Sequence, residues 1–339
     1  MSPAYFSLVM ATGIVSLAAF LMDRRGLAVS LFYLNIAQYA VLCVLYGIRA
    51  VRHPRRFFGD MIAHASGPGY FTAVAGTGIL ASQFMAIGAN VAIGTGLWLL
   101  AGLLWVCLTY TIFPALTVRR EKPTLDTGIN GGWLLAVVAT QAMAVSSALL
   151  ASLEPPHHPA LNLLALSMWL WGGMLYIWMM SLIFYRYTFF PLSPGDLAPS
   201  YWINMGAMAI STLAGCQLIL NAPQAPYLAS LLPFLKGFTI LYWSVGTWWI
   251  PMLLVLGLWR YGYKRFPLRY DPIYWSVVFP LGMYAACTWQ IERAMAFGFL
   301  DPVSHVLLYI ALAAWAITFL GMIHALVCGH GRQKMDRTF

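Results

Sequence analysis

Apolar residues occupy this chain in long blocks, with neither the alternation of a half-buried strand nor the single stripe of a soluble helix. Crossing ~30 Å of bilayer hydrocarbon takes about 20 mostly apolar residues in a helix. Ten blocks meet that length: 3–22, 28–47, 67–88, 91–116, 132–153, 161–185, 201–220, 234–259, 274–297 and 303–328. The eighth is the least sharply bounded, because apolar sequence extends over 228–259 around Gly237 and Pro251. A tilted helix or a preceding interfacial turn accounts for that. The gaps leave no room for a soluble domain, so residues 1–339 read as one all-α polytopic membrane domain. The first block lacks a basic leader and a small-residue cleavage site. Ser2-Pro3 there reads as a helix cap and first-turn proline, not as part of a signal peptide.

The blocks fall into two kinds. YFSLVMATGI at 5–14 and YFTAVAGTGI at 70–79 agree at six of ten positions. YWSVVFPLGM at 274–283 and YWINMGAMAI at 201–210 follow the same pattern, and WLLAVVATQA at 133–142 joins more loosely. All five open odd-numbered helices and start on the same side, whereas the even-numbered helices are plainer and rich in Leu, Trp and Tyr. Five hairpins repeated in one orientation are the simplest reading, with one environment for odd helices and another for even ones. The odd helices carry small or kinking residues at matched depth (Gly13, Gly76, Gly78, Gly206, Pro280, Gly282). They also hold the polar groups of Thr12, Thr77, Gln83, Thr140, Gln141, Asn204, Ser211, Gln217, Thr288 and Gln290. Polar side chains in lipid are expensive unless they face the bundle interior or a wet cavity. An inner ring of odd helices around a pore, with even helices outside, meets that requirement. The alternative is that small and hydroxylated residues only permit close packing; recurrence in five helices favours a shared lining.

Composition excludes other classes. Of 339 residues 61% are hydrophobic and 9% charged, against about 25% charged in a soluble domain. The net charge of +9 suggests a nucleic-acid partner only until it is located. One side of the membrane collects 15 of the 19 basic residues and the whole excess, while the other side is neutral. The charge is therefore an orientation signal that places both termini in the cytoplasm, and no nucleic acid is expected. The five cysteines have no metal or disulfide spacing and read as small core hydrophobes. No HExxH, GxSxG, Walker loop or acidic pair is present, so neither an enzyme nor a cofactor or metal is expected.

The ATGI and GTGI turns of the first and third helices, VVFPLG in the ninth, and GPGYFTAVAGTGILASQF at 67–84 resemble the tellurite-resistance/dicarboxylate transporter family. That family includes the plant slow-type anion channels and bacterial C4-dicarboxylate carriers. The resemblance runs over essentially the whole chain. It implies a homotrimer in a cell (inner) membrane, with a pore in each protomer lined by the odd helices and occluded by a phenylalanine of helix nine. Phe279 is the matching residue. It also implies a small anionic substrate: malate and other C4-dicarboxylates first, with sulfite, nitrate and chloride, or tellurite-resistance-type export, as alternatives.

Phe279 has a physical case of its own. Pro280 removes a backbone hydrogen bond and opens a kink, and a bulky ring there can close a path by steric block and dewetting; the alternative is a core aromatic. Steps of three or four residues carry Met283, Ala286 and Gln290 onto the same face. Gln217 lies level with Gln290, Gln83 one turn lower, and Gln141 nearer mid-membrane. Their amide N–H groups can donate to an anion without the desolvation cost of a buried cation, or else bond between helices. With Thr12, Thr77 and Thr140 these are the expected lining, and Gly13, Gly78, Gly206, Pro280 and Gly282 the expected kink and packing positions. Glu292, Arg293 and Lys236 sit near outer helix ends, where snorkelling to the interface is expected. His157-His158 reads as a solvated outer turn.

Overall fold

The computed structural model describes residues 2–154, 158–268 and 270–335; His157, Arg269, Asp336 and Arg337 fall outside them. Among the described residues the chain is helical with no strand. Ten helices of 15 residues or more carry the architecture: α1 (Ser7–Leu21), α2 (Arg25–Arg52), α3 (Phe71–Ala86), α4 (Val91–Val118), α5 (Leu135–Leu153), α6 (His158–Phe189), α7 (Ile203–Asn221), α8 (Leu232–Gly257), α9 (Trp275–Met295) and α10 (Asp301–Met335). Short helices at Pro54–Met61, Leu125–Gly128 and Pro226–Ser230 join them. The last of these is the turn expected before the eighth helix, and α8 ends in a π-helical turn, Leu258–Tyr263.

The sequence repeat has a backbone counterpart. Each odd helix is entered through a 3-10 turn: Pro3–Phe6, Gly67–Tyr70, Gly131–Leu134, Pro199–Trp202 and Pro272–Tyr274. The repeat's first aromatic, Tyr5, Tyr70, Trp133, Tyr201 or Tyr274, lies in that turn every time. Proline or glycine opens the turn because a first-turn N–H has no intrahelical acceptor to lose. Ser2 caps the first one, its Oγ accepting from the Ala4 N–H at 3.3 Å.

Eight helices are long and apolar enough to cross a membrane, counted among the described residues. Of the ten spans read from sequence, α3 and α9 fall short of that length and apolarity. The physical reason is burial. α3 spends positions on Gly76, Thr77, Gly78, Ser82 and Gln83, and α9 on Pro280, Gly282, Thr288 and Gln290, all turned to protein and so free of lipid's demand for hydrocarbon. The same contrast divides the other eight. In the odd spans 72–89% of the apolar window is buried, against 11–50% in the even ones.

Packing follows a single rule. α1 contacts α3, α3 contacts α5, α5 contacts α7, α7 contacts α9, and α9 contacts α1 again. Every even helix lies on the odd helix before it and touches the odd helix after it, α10 reaching back to α1. Cys216 and Cys287 are buried, but Cys43, Cys107 and Cys328 are exposed on even helices. That corrects their placement in the core: a thiol is apolar enough to face lipid.

Candidate functional site

Interhelical contacts fix which way each odd helix faces. On α9, Pro280 packs on α7, where a Cβ at Gly206 would come within 2.7 Å of the proline Cγ. Tyr284 and Thr288 turn to α8, pairing with the Thr247 hydroxyl at 2.6 Å and accepting from Trp243 Nε1 at 3.2 Å. Gly282 meets Ile14 and Val15 of α1, each 3.0 Å from a Cβ built there. At about 100° per residue these contacts use both flanks and the back of the helix. The remaining arc carries Phe279, Met283, Ala286 and Gln290, all buried. On α7, Gly206 meets Pro280 of α9, and Gly215, against Thr239 and Trp169, marks the opposite side. Ile210, Leu213 and Gln217 share the face of Gly206 at steps of three and four residues, with Gln217 partly exposed. α1 adds Met10 and Ile14 between its contacts to α9 and α3. This inner stripe is apolar except for the two glutamines, and it holds no charged side chain.

The threonines sit elsewhere. Trp315 Nε1 of α10 donates to Thr12 Oγ1 at 3.0 Å. Tyr39 of α2 pairs with the Thr77 hydroxyl at 3.0 Å, and Trp105 Nε1 of α4 donates to Thr140 Oγ1 at 2.9 Å. Thr77 and Thr140 also donate to the carbonyls of Ala73 and Ala136 one turn back. Trp169 Nε1 of α6 donates to the Ser211 carbonyl of α7 at 2.8 Å, and Trp243 to Thr288 completes the set. Thus at each of the five seams an aromatic of an even helix bonds the next odd helix. Thr12, Thr77 and Thr140, expected as lining, thus bond to even helices across these seams.

Gln83 and Gln141 are likewise tied outward. Gln83 Oε1 accepts from Asn35 Nδ2 of α2 at 2.7 Å, and Gln141 Nε2 donates to the Trp169 carbonyl of α6 at 3.0 Å, where Gly172 makes room. Gln83 Nε2, Gln141 Oε1 and Gln290 Oε1 are buried without a protein partner among the described residues. The aromatic donors were missed in the sequence reading; their one signal was the abundance of Trp and Tyr in even helices.

Gly13 serves close approach, whereas Gly78 sits at ordinary contact distance. A Cβ on Gly13 would lie 2.6 Å from Ile79 of α3, and one on Gly78 would lie 3.4 Å from Ala142 of α5. Near the C-terminal end of α9 Arg293 stacks on Trp289, its Cζ 3.6 Å from the ring centroid, and Glu292 does not pair with it. At the other end Arg49 pairs with Asp60, and Arg186 holds Tyr201 OH at 2.9 Å, the Asp126 carbonyl at 2.7 Å and Asp196 at 3.6 Å. The Ser193 hydroxyl and N–H, together with Arg186, hold the Asp196 carboxyl below its ordinary range. Desolvation, then Arg119 and Lys122, depress His64.

The chain is 38% identical over 160 residues, 47% of its length, to an uncharacterised membrane protein of Mycobacterium tuberculosis, of which 80% is covered. It is 26% identical to an uncharacterised transporter of Methanocaldococcus jannaschii over 94% of this chain and 91% of that one. To a sulfite efflux pump of Arthroderma benhamiae it is 23% identical, over 94% and 88%. The family model described as voltage-dependent anion channel matches residues 1–323. With that match over nearly its full length, the chain belongs to the voltage-dependent anion channel family, SLAC1, within the tellurite-resistance/dicarboxylate transporters that its motifs resemble.

Proposed function

We propose that this chain is a conduit for small anions, not an enzyme, with a path between its five odd helices that Phe279 closes. The observation carrying this reading is the inner stripe of α9, where Phe279 is 1% exposed and shares its face with Met283 and Gln290. Two further features support it: the contact order of the odd helices returns from α9 to α1, and Gln217 lies on the facing arc of α7. Thr12, Thr77, Thr140 and the polar ends of Gln83 and Gln141 hold the even helices against this ring. The basic ends of the helices face the cytoplasm with both termini, and three chains assemble in a cell membrane, each with its own path.

The substrate class follows from the charge of the stripe. An apolar wall with amide donors and no cation favours a small anion of low charge, because the cost of leaving water rises steeply with charge. Hydrogensulfite, the monoanion of the sulfite class, or another inorganic monoanion therefore comes first. The likeness to sulfite efflux pumps over 94% of the chain agrees with this. C4-dicarboxylates such as malate are the second reading, favoured by the GPGYFTAVAGTGILASQF segment. Flux of sulfite, nitrate, chloride and malate into proteoliposomes tests both. Phe279→Ala should raise flux of the native anion at least about tenfold, since a steric plug is removed. Unchanged flux in the variant overturns the gate, and malate outrunning every inorganic anion reverses the substrate order. No flux of any anion through either protein overturns the transport reading.

A further inference from the structure

The even helices end in basic residues, and their surroundings differ in one respect. Arg49, at the end of α2, pairs with Asp60, and Arg186, at the end of α6, pairs with Asp196. Arg260, in the π-helical turn after α8, is as deeply placed at 7% exposed, yet no carboxylate meets it among the described residues. One guanidinium NH donates to the Leu197 carbonyl, and the rings of Phe266 and Tyr261 lie 4.3 and 5.0 Å from its Cζ. Its Nε has no acceptor among the described residues. Asp271, the nearby acid, is turned to its own helix start, where it accepts from the Ile273 N–H at 2.9 Å.

A buried cation without a counter-charge is costly, and here it lines a cavity. The space measures about 170 Å3 and lies between α7, α8 and α9 at their basic ends. Leu253, Leu256, Val277 and Trp202 form its apolar wall. A cleft of about 400 Å3 that also contains Arg260 adjoins it and includes Asp271. The Tyr274 and Tyr261 hydroxyls, 2.8 Å apart, stand beside the arginine. One guanidinium at the head of an apolar slot, at interface depth, matches an amphiphile with an oxyanion head. Arginine suits phosphate in particular, since its planar fork can bond two oxygens at once.

We propose that the Arg260 cavity binds a phosphate group at the basic face of the membrane, supplied by the headgroup of an anionic phospholipid. The lipid's hydrocarbon lies along Leu253 and Leu256. Because Val277 is two residues before Phe279, an occupied cavity also braces the start of α9. The site needs no transport to be detected, so its test stands apart from the proposed conduit.

The full chain, delipidated in detergent, is titrated with dioctanoyl phosphatidylglycerol, dioctanoyl phosphatidylcholine and inorganic phosphate. Thermal midpoint and native mass spectrometry are read for wild type, Arg260→Gln, Arg260→Lys and Arg119→Gln. The expected result is an adduct and a raised midpoint with phosphatidylglycerol, weakened at least about tenfold in Arg260→Gln and partly in Arg260→Lys. Arg119→Gln, which alters an exposed helix-end arginine, should behave as wild type. A response to inorganic phosphate alone keeps the phosphate site and overturns the lipid source. Equal binding by wild type and both Arg260 variants, or none by wild type, overturns the proposal. If Arg260→Gln does not fold, undiminished binding by Arg260→Lys still overturns the two-oxygen contact.

Discussion

A threonine hydroxyl inside a membrane protein has two physical outlets, a wet path or a partner on another helix. Thr12, Thr77 and Thr140 take the second. Each lies under an aromatic from the preceding even helix or, for Thr12, from α10. The indole N–H of Trp105 has no other acceptor among the described residues, so Thr140→Val strands a part-buried donor. Such a group costs about 1–3 kcal/mol, and measured polar pairs in membranes average less, about 0.6 kcal/mol. Thr140→Val should therefore lower the thermal midpoint in detergent, whereas Thr140→Ser, which keeps an oxygen in place, should recover most of the loss. Anion selectivity should be the same in all three proteins, and a selectivity change in Thr140→Val would return this residue to the path. Depth along the helix was legible from the repeat; azimuth was not. A recurring residue announces a shared environment, and only the partner's position says which side of the helix that environment lies on.

The division of helices into two kinds was legible because the two environments impose different chemistry. Lipid tolerates Leu, Trp and exposed cysteine on α2, α4 and α10, while close contact between odd helices demands small side chains. Two glycines separate tight contact from loose. A Cβ at Gly206 would stand 2.7 Å from the rigid ring of Pro280, and one at Gly78 would stand 3.4 Å from Ala142, an ordinary contact. Gly206→Ala must push α7 from α9 and should cost about 1–3 kcal/mol, as overpacking does. Gly78→Ala should be near neutral, or slightly stabilising through lower backbone entropy in the unfolded chain. Thermal melts of both variants check the difference, and equal losses would mean that α7 and α9 do not meet at this point. The lower apolarity of α3 and α9 has the same origin. These helices are buried, so they can spend positions on Gly, Thr, Ser and Gln that contact with lipid would penalise.

At the scale of the molecule, the positive charge that could have marked a nucleic-acid binder is concentrated where the odd helices begin and the even helices end. Part of it is structural, since Arg49 and Arg186 tie helix ends to Asp60 and Asp196. Exposed Arg52, Arg55 and Arg56 make no such pair among the described residues, and we propose that they serve as the topological signal during insertion. Lys236 lies in the first turns of α8 and is exposed, at the opposite end. The two sites therefore report orientation independently. In intact cells Lys236→Cys should react with a membrane-impermeant maleimide above the background of the native cysteines. Arg56→Cys should react only after permeabilisation. The reverse pattern would invert the protein in the membrane, and it would place the Arg260 cavity and the basic mouth of the path on the outer side. The closed contact order of the odd helices would stand unchanged, because it depends on packing and not on which compartment each end faces.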